Sequence, residues 1–119
     1  MDSTKQVQTT HAPKTVTILL PTLNERAGIE QLMDAFPIPQ LKGKGYEVNI
    51  LIIDGGSTDG TRGIAERKGA TVLVQHGTGK GNGVRQAISR VDTDFMFMLD
   101  ADRTYPPWYI MGMLELHPA

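Results

Sequence analysis

The chain has 119 residues, the size of one modest domain able to bury roughly two-thirds of its unfolded surface. Its 12 basic and 13 acidic residues leave a net charge of -1, which excludes nucleic-acid binding carried by bulk positive charge but not a local anion site. With no cysteine, disulfides, zinc–thiolate centres and thiol catalysis are excluded, and a reducing, cytoplasmic setting is expected.

Residues 1–14 are polar and lack the apolar run of a secretory signal; they read as a flexible arm ahead of one domain over residues 15–119. No apolar stretch reaches the ~20 residues that span a bilayer. Residues 15–20 form a β-branched and aliphatic run closed by Pro21, the first expected strand. Thr22-Leu23-Asn24-Glu25 has capping-box spacing, and Ile29, Leu32, Met33 and Phe36 then mark one helical face. Pro37-Ile38-Pro39 is expected to end that helix and open a loop through the polar Lys42-Gly43-Lys44-Gly45 connector.

Residues 48–53 read as a second strand, leaving into Asp54-Gly55-Gly56-Ser57-Thr58-Asp59-Gly60-Thr61, where turn and capping residues mix. A short helix over residues 61–68 stops at Gly69, and residues 71–75 form a third strand. A glycine-rich loop over residues 76–83 precedes a helix whose buried face is Val84, Ala87, Ile88 and Val91. The fourth strand, residues 94–99, carries Phe95-Met96-Phe97-Met98-Leu99, a run expected to be buried on both faces. Pro106-Pro107 suits the start of a last helix reaching Leu116. The alternation implies an α/β fold: a parallel, doubly wound, Rossmann-like sheet of about four strands in the order 3-2-1-4.

That order gathers three loops at the carboxyl ends of strands one, two and four, beside the switch point where ligands bind in such sheets. They hold Glu25, Asp54, Asp100 and Asp102, a cluster that repels itself without a cation or ligand donors. Two carboxylates one residue apart at a strand exit suit Mg²⁺ or Mn²⁺, and through it a diphosphate. Residues 77–81 do not make a P-loop, and residues 79–84 do not make a dinucleotide fingerprint. Lys80 and Arg85 remain candidates for neutralising phosphate. His11, His76 and His117 have no partners at metal-ligand spacing and read as surface.

Four segments together carry a resemblance: Thr17-Ile-Leu-Leu-Pro-Thr-Leu-Asn-Glu25, Ile53-Asp-Gly-Gly-Ser-Thr-Asp-Gly-Thr61, Gly79-Lys-Gly-Asn-Gly83 and Asp100-Ala-Asp-Arg-Thr-Tyr-Pro-Pro107. In this order and spacing they resemble the nucleotide-binding half of a family 2 glycosyltransferase with the GT-A fold. Within that family the nearest likeness is to polyprenyl-phosphate glycosyltransferases such as dolichol-phosphate mannose synthase. The resemblance implies a hexosyltransferase whose donor is a nucleoside-diphosphate sugar, GDP-mannose or a UDP-sugar. It implies nucleoside contacts from Pro21, Thr22, Leu23 and Glu25 and from Ile53, Asp54 and Gly55, beside the phosphate role already open to Lys80. Asp100-Ala101-Asp102 match the family's DXD motif, with Asp102 the principal metal ligand, Asp100 supporting it and Thr104 where some relatives carry a metal-reaching Gln. The implied acceptor is a polyprenyl or dolichyl phosphate at the cytoplasmic face of a membrane.

Gly55 stands where many relatives have a second Asp, so the base stays open between guanine and uracil; Leu23 replaces a common aromatic. The family normally continues into an acceptor-binding half, so the chain reads as a truncated donor domain. Alone it is expected to be inactive, or to be a non-catalytic nucleotide-binding or assembly module that needs a partner for the acceptor half. The apolar fourth strand would then be an exposed edge, and self-association through it is expected. A nucleotidyltransferase reading is disfavoured because no Gly-x-Gly-x-Arg loop follows strand one.

Overall fold

Nine residues, Lys14–Thr22, form β1, an interior strand hydrogen-bonded to β2 on one side and β4 on the other. The computed structural model describes residues 14–102, together with Tyr109 and Gly112. After β1 come α1 (Arg26–Ala35), α2 (Ile38–Gly43), β2 (Tyr46–Asp54), α3 (Thr61–Arg67), β3 (Thr71–Val74), α4 (Lys80–Ile88) and β4 (Phe95–Met98). All pairings are parallel and the order is β3-β2-β1-β4, as the alternation predicts.

Period-two side-chain alternation divides β1 between two cores. Val16, Ile18 and Leu20 join Ile50 and Ile52 of β2 against Ile29, Leu32, Met33 and Phe36 of α1, Leu41 of α2 and Ala65 of α3. Leu19, Leu51 and Ile53 face the other way onto Ala87 of α4, with Leu73, Val84 and Val91 at the margin. Ile18, Leu20, Ile29 and Ile52 are fully buried, each contributing about 1.5–3 kcal/mol of transfer free energy. This two-sided burial holds the strand ends at one edge, where the loops gather.

Several boundaries differ from expectation for physical reasons. The capping box does not form: Thr22 is the last residue of β1 and its hydroxyl donates to the Leu20 carbonyl (2.9 Å), while Glu25 occupies the N-cap of α1 without a side-chain cap. The amides at that helix start are met from the next crossover. Glu25 N donates to Thr61 Oγ1 (3.0 Å) and Arg26 N to Asp59 Oδ2 (3.1 Å). The loop expected from Pro37 is instead α2, with Pro37 at its N-cap and Pro39 in the first turn, where a missing N–H costs nothing. Leu41, fully buried, anchors it. Likewise α4 starts at Lys80, inside the expected glycine loop.

β4 is not buried on both faces. Phe95 and Phe97 pack against the larger core, but Met96 and Met98 are 37% and 50% exposed on the opposite face. The strand start is tied to β1 by Thr15, whose amide donates to Asp94 Oδ2 (2.9 Å) and whose hydroxyl accepts from Asp94 N (2.9 Å). β1 begins one residue earlier than expected, with the Lys14 amide donating to the Gly45 carbonyl (3.0 Å). Residues 1–13 lie outside the described residues, as does the helix expected after Pro106-Pro107 apart from Tyr109 and Gly112, both helical. Among the described residues, no helix is long and apolar enough to cross a membrane.

The cross-loop capping yields a test. Thr61→Val keeps the side-chain shape but leaves the Glu25 amide without its acceptor, costing about 1–2 kcal/mol in urea denaturation near neutral pH. The Thr61 hydroxyl, which donates to Asp59 Oδ1, is also the main reason the Asp59 carboxyl sits below its ordinary value, ahead of backbone hydrogen bonds from Arg26 and Thr61. A depressed carboxyl contributes stability above its unfolded pKa and loses it as pH falls through the folded value. The difference between wild type and Thr61→Val is therefore expected to be smaller at about pH 3 than at about pH 7. A difference independent of pH would contradict the assignment.

Candidate functional site

The carboxyl ends of the four strands surround one cavity of about 470 Å³. β1 contributes Pro21 and Thr22 and leads into Leu23 and Glu25; β2 contributes Ile53 and leads into Gly55. From beyond β3 come Gln75, Thr78, Gly79 and Lys80, and from beyond β4 come Asp100, Ala101 and Asp102. Ten of the predicted site residues thus share one cavity: Pro21, Thr22, Leu23, Glu25, Ile53, Gly55, Lys80, Asp100, Ala101 and Asp102. Leu23 is 56% exposed, a large apolar side chain at the mouth. Thr104 lies outside the described residues.

Asp54, expected beside them, does not line the cavity and instead supports its own loop. Its carboxylate is fully buried and turned into its own loop, accepting from Gly56 N (2.9 Å), Ser57 N (2.8 Å) and Ser57 Oγ (2.6 Å). Arg62 Nε stands 3.7 Å away. A buried carboxylate must be met by donors or neutralised, and here the loop itself supplies them. Gly56, at φ +112°, takes a conformation that side chains disfavour, which lets two successive amides converge on Asp54. A sequence reading that counts carboxylates cannot separate such an inward-turned acid from a ligand.

The Asp54 loop also fixes the loop after β1. Ser57 Oγ accepts from Asn24 N (2.8 Å), Asn24 Oδ1 accepts from Thr58 N (2.9 Å), and Gly55 N donates to Thr22 O (2.8 Å). Asn24 holds φ +51°, a left-handed geometry that Asn tolerates better than most residues. Two walls of the cavity are therefore cross-linked before any ligand enters.

The far wall is charged. Lys80 Nζ lies 2.8 Å from Asp100 Oδ1, with side chains 60% and 40% exposed, so the pair is worth no more than about 1 kcal/mol and is readily exchanged. The Glu25 carboxyl is pushed above its ordinary value, first by desolvation and then by the negative charges of Asp102 and Asp59. Negative charge is thus crowded where Glu25 meets Asp102. Among the described residues no three His, Asp or Glu side chains form a ready metal cage. Two carboxylate ligands fit the other arrangement, in which Mg²⁺ or Mn²⁺ takes one or two carboxylates and fills its shell from substrate phosphates and water.

Gln75, Thr78 and Gly79 line the cavity and escaped the sequence reading, which rejected their loop as a phosphate motif. The available signal was position: they follow a parallel strand at the edge where the other loops converge. A larger hollow of about 730 Å³ lies between α1 and α3, walled by Arg26, Glu30, Arg67 and Lys68 among others. Lys68 there is bound to Asp34 (2.8 Å) and Glu30 (3.4 Å), and Arg26 to the Asp59 carbonyl (3.2 Å), so its charges are largely satisfied internally.

Comparison with known proteins agrees with this fold. The family model described as glycosyl transferase family 2 matches residues 17–118. Glycosyltransferase AglJ of Haloferax volcanii is 45% identical over 104 residues, covering 87% of this chain and 32% of AglJ. Protein RfbJ of Shigella flexneri is 37% identical over 92 residues, covering 76% of this chain and 66% of RfbJ. The chain thus spans about a third of the length of AglJ and about two-thirds of RfbJ. Among solved structures, glucosyl-3-phosphoglycerate synthase from Mycobacterium tuberculosis in complex with Mn²⁺ and UDP-glucose superposes with a TM-score of 0.72 at 25% identity. That match covers 86% of this chain and 38% of the synthase.

The crowding of Glu25 is directly measurable. Its raised carboxyl means the folded state holds the proton more tightly, so this group's contribution to stability falls as pH rises from 4.5 through the folded value. In an NMR titration, Asp102→Asn is expected to move the Glu25 midpoint down without fully restoring it, because desolvation, the larger cause, remains. An unchanged midpoint would show that the two carboxylates do not interact.

Proposed function

The chain belongs to glycosyl transferase family 2, and on that premise we propose that its domain binds a nucleoside-diphosphate sugar together with Mg²⁺ or Mn²⁺ and presents the sugar for transfer. The observation that carries this reading is one cavity joining an apolar portion (Pro21, Leu23, Ile53) to a charged portion (Lys80, Asp100, Asp102). A nucleoside suits the first and a metal-bridged diphosphate the second. The likeness to a synthase crystallised with Mn²⁺ and UDP-glucose supports the same pairing of metal and sugar nucleotide.

Asp102 and Asp100 would hold the metal, which when bound neutralises the diphosphate and stabilises it as a leaving group. Lys80, now 2.8 Å from Asp100, would be available to a phosphate oxygen if a cation occupied that carboxylate. Pro21, Leu23 and Ile53 keep water from the nucleoside. In transfer, the bond from the anomeric carbon to the diphosphate oxygen breaks with its electron pair going to the diphosphate, and an acceptor oxygen forms the new bond. We take that acceptor to be a polyprenyl or dolichyl phosphate, as the motif set suggests. Its oxygen is already anionic and requires little general-base help. We take the cytoplasmic face of a membrane to be where this reaction occurs.

The test is a thermal-shift panel of UDP-, GDP- and other sugar nucleotides with and without Mn²⁺. A donor at a hundredfold its dissociation constant adds about 2.7 kcal/mol, visible as a rise of several degrees. Asp102→Ala is expected to abolish the metal-dependent part while leaving the unliganded midpoint nearly unchanged, because Asp102 is exposed. Stabilisation by no sugar nucleotide, or equal stabilisation of Asp102→Ala, would refute the donor site. Transfer assays with dolichyl phosphate and with phosphoglyceric acid as acceptors then separate the lipid-phosphate reading from the acceptor class seen with the mycobacterial synthase.

A further inference from the structure

Gln75, the first residue beyond β3, has an unusual hydrogen-bond balance. Its Nε2 donates to the carbonyls of Gly77 (3.2 Å) and Gly79 (3.1 Å). A side-chain amide nitrogen has two hydrogens, so the donor capacity of Gln75 is spent inside its own loop. Its carbonyl oxygen, Oε1, receives no hydrogen bond from any described residue. The amide is therefore fixed in one orientation, and on this cavity-lining residue only the acceptor is left to bond.

Two glycines make the seat for that oxygen. A Cβ placed on Gly55 would lie 3.6 Å from Oε1, an ordinary contact, whereas a Cβ on Gly83 would collide with it. Gly83 is buried within α4, where glycine weakens a helix relative to alanine. The Gln75 side chain occupies the space a methyl group at position 83 would need.

The position in the sheet indicates what this acceptor meets. β3 and β4 are the two ends of the β3-β2-β1-β4 order, so Gln75 stands three strand spacings, about 14 Å, from the Asp100–Asp102 exit. Asp100, Asp102 and Lys80 mark the diphosphate end of the cavity, and Gln75 with Gly55 and Ile53 marks the other. We propose that Gln75 is a specificity-determining residue of the donor site, its clamped amide accepting a ring N–H from the nucleobase. Uracil and guanine share that group; adenine and cytosine present a ring acceptor at the corresponding edge and set lone pair against lone pair. This inference rests on the donor-binding reading and adds to it the chemistry of the base.

Calorimetry on the full chain with Mn²⁺ tests it, using UDP, GDP, and their analogues methylated at uracil N3 and guanine N1. Methylation removes the donor, so the better of the two nucleotides is expected to lose about tenfold in affinity on the wild type. In Gln75→Met, which keeps the side-chain length without the amide, the methylation penalty is expected to shrink to about twofold or less. Gly83→Ala, which displaces the amide while leaving Gln75 in place, is expected to do the same. A merely structural role would weaken both members of each pair equally and leave the ratio unmoved. A wild type without a methylation penalty, or a Gln75→Met variant that keeps the whole penalty, overturns the role of Gln75 alone. A wild type that binds neither nucleotide overturns the donor reading beneath it.

Discussion

A carboxylate with no exposure to water organises the ligand edge of this domain. Asp54 cannot remain charged at the end of β2 unless its lone pairs are met, and the two amides and hydroxyl of Gly56 and Ser57 meet them. Ser57 then accepts from Asn24, which brings the loop after β1 alongside. Asp59 and Thr61, a few residues on, cap the helix that this loop begins. One satisfied buried charge thus fixes the relative placement of two crossovers, and the cavity inherits its shape from them.

That arrangement gives the cavity two unlike sides, which suits the polyanionic ligand proposed for it. The rigid side, from Thr22 to Gly55, is cross-linked by backbone and hydroxyl groups that keep their bonds whatever enters. The adjustable side holds the exposed Lys80–Asp100 pair and the Glu25 carboxyl crowded by Asp102, groups whose interactions are weak or unfavourable without a counter-charge. A bound metal and diphosphate would supply the counter-charge the second set lacks. A preorganised wall facing an exchangeable charged one is consistent with the proposed donor site.

Much of this was readable in the residues because it depends on period and order. Apolar runs separated by helical periodicity determine a parallel sheet, and the sheet order brings Pro21, Ile53 and Asp100 to one edge. What escaped the reading depends on direction. Nothing in Thr22-Leu23-Asn24-Glu25 reveals that its helix is capped by Thr61 and Asp59 from another loop, so a local capping box was the natural expectation. Asp54 and Asp102 look alike in sequence, yet one points into its loop and the other lies exposed beside the cavity. Pro37-Ile38-Pro39 suggested a break because proline ends helices, though both prolines also suit the start of one. The alternating exposure of β4 was masked by methionine, apolar enough to suggest burial and flexible enough to lie at a surface. Gln75 carried no motif at all; only the hydrogen-bond count around its amide distinguishes it.

The central claim, that the β4 exit holds a divalent cation jointly with a nucleoside diphosphate, is tested most directly by paramagnetic broadening in the NMR spectrum. Trace Mn²⁺ added with UDP or GDP is predicted to broaden the amides of residues 100–102, Lys80 and Glu25, and to do so far more strongly with nucleotide than without. Broadening that ignores the nucleotide, or that centres on the acidic face of α1 around Glu30 and Asp34, would contradict the account.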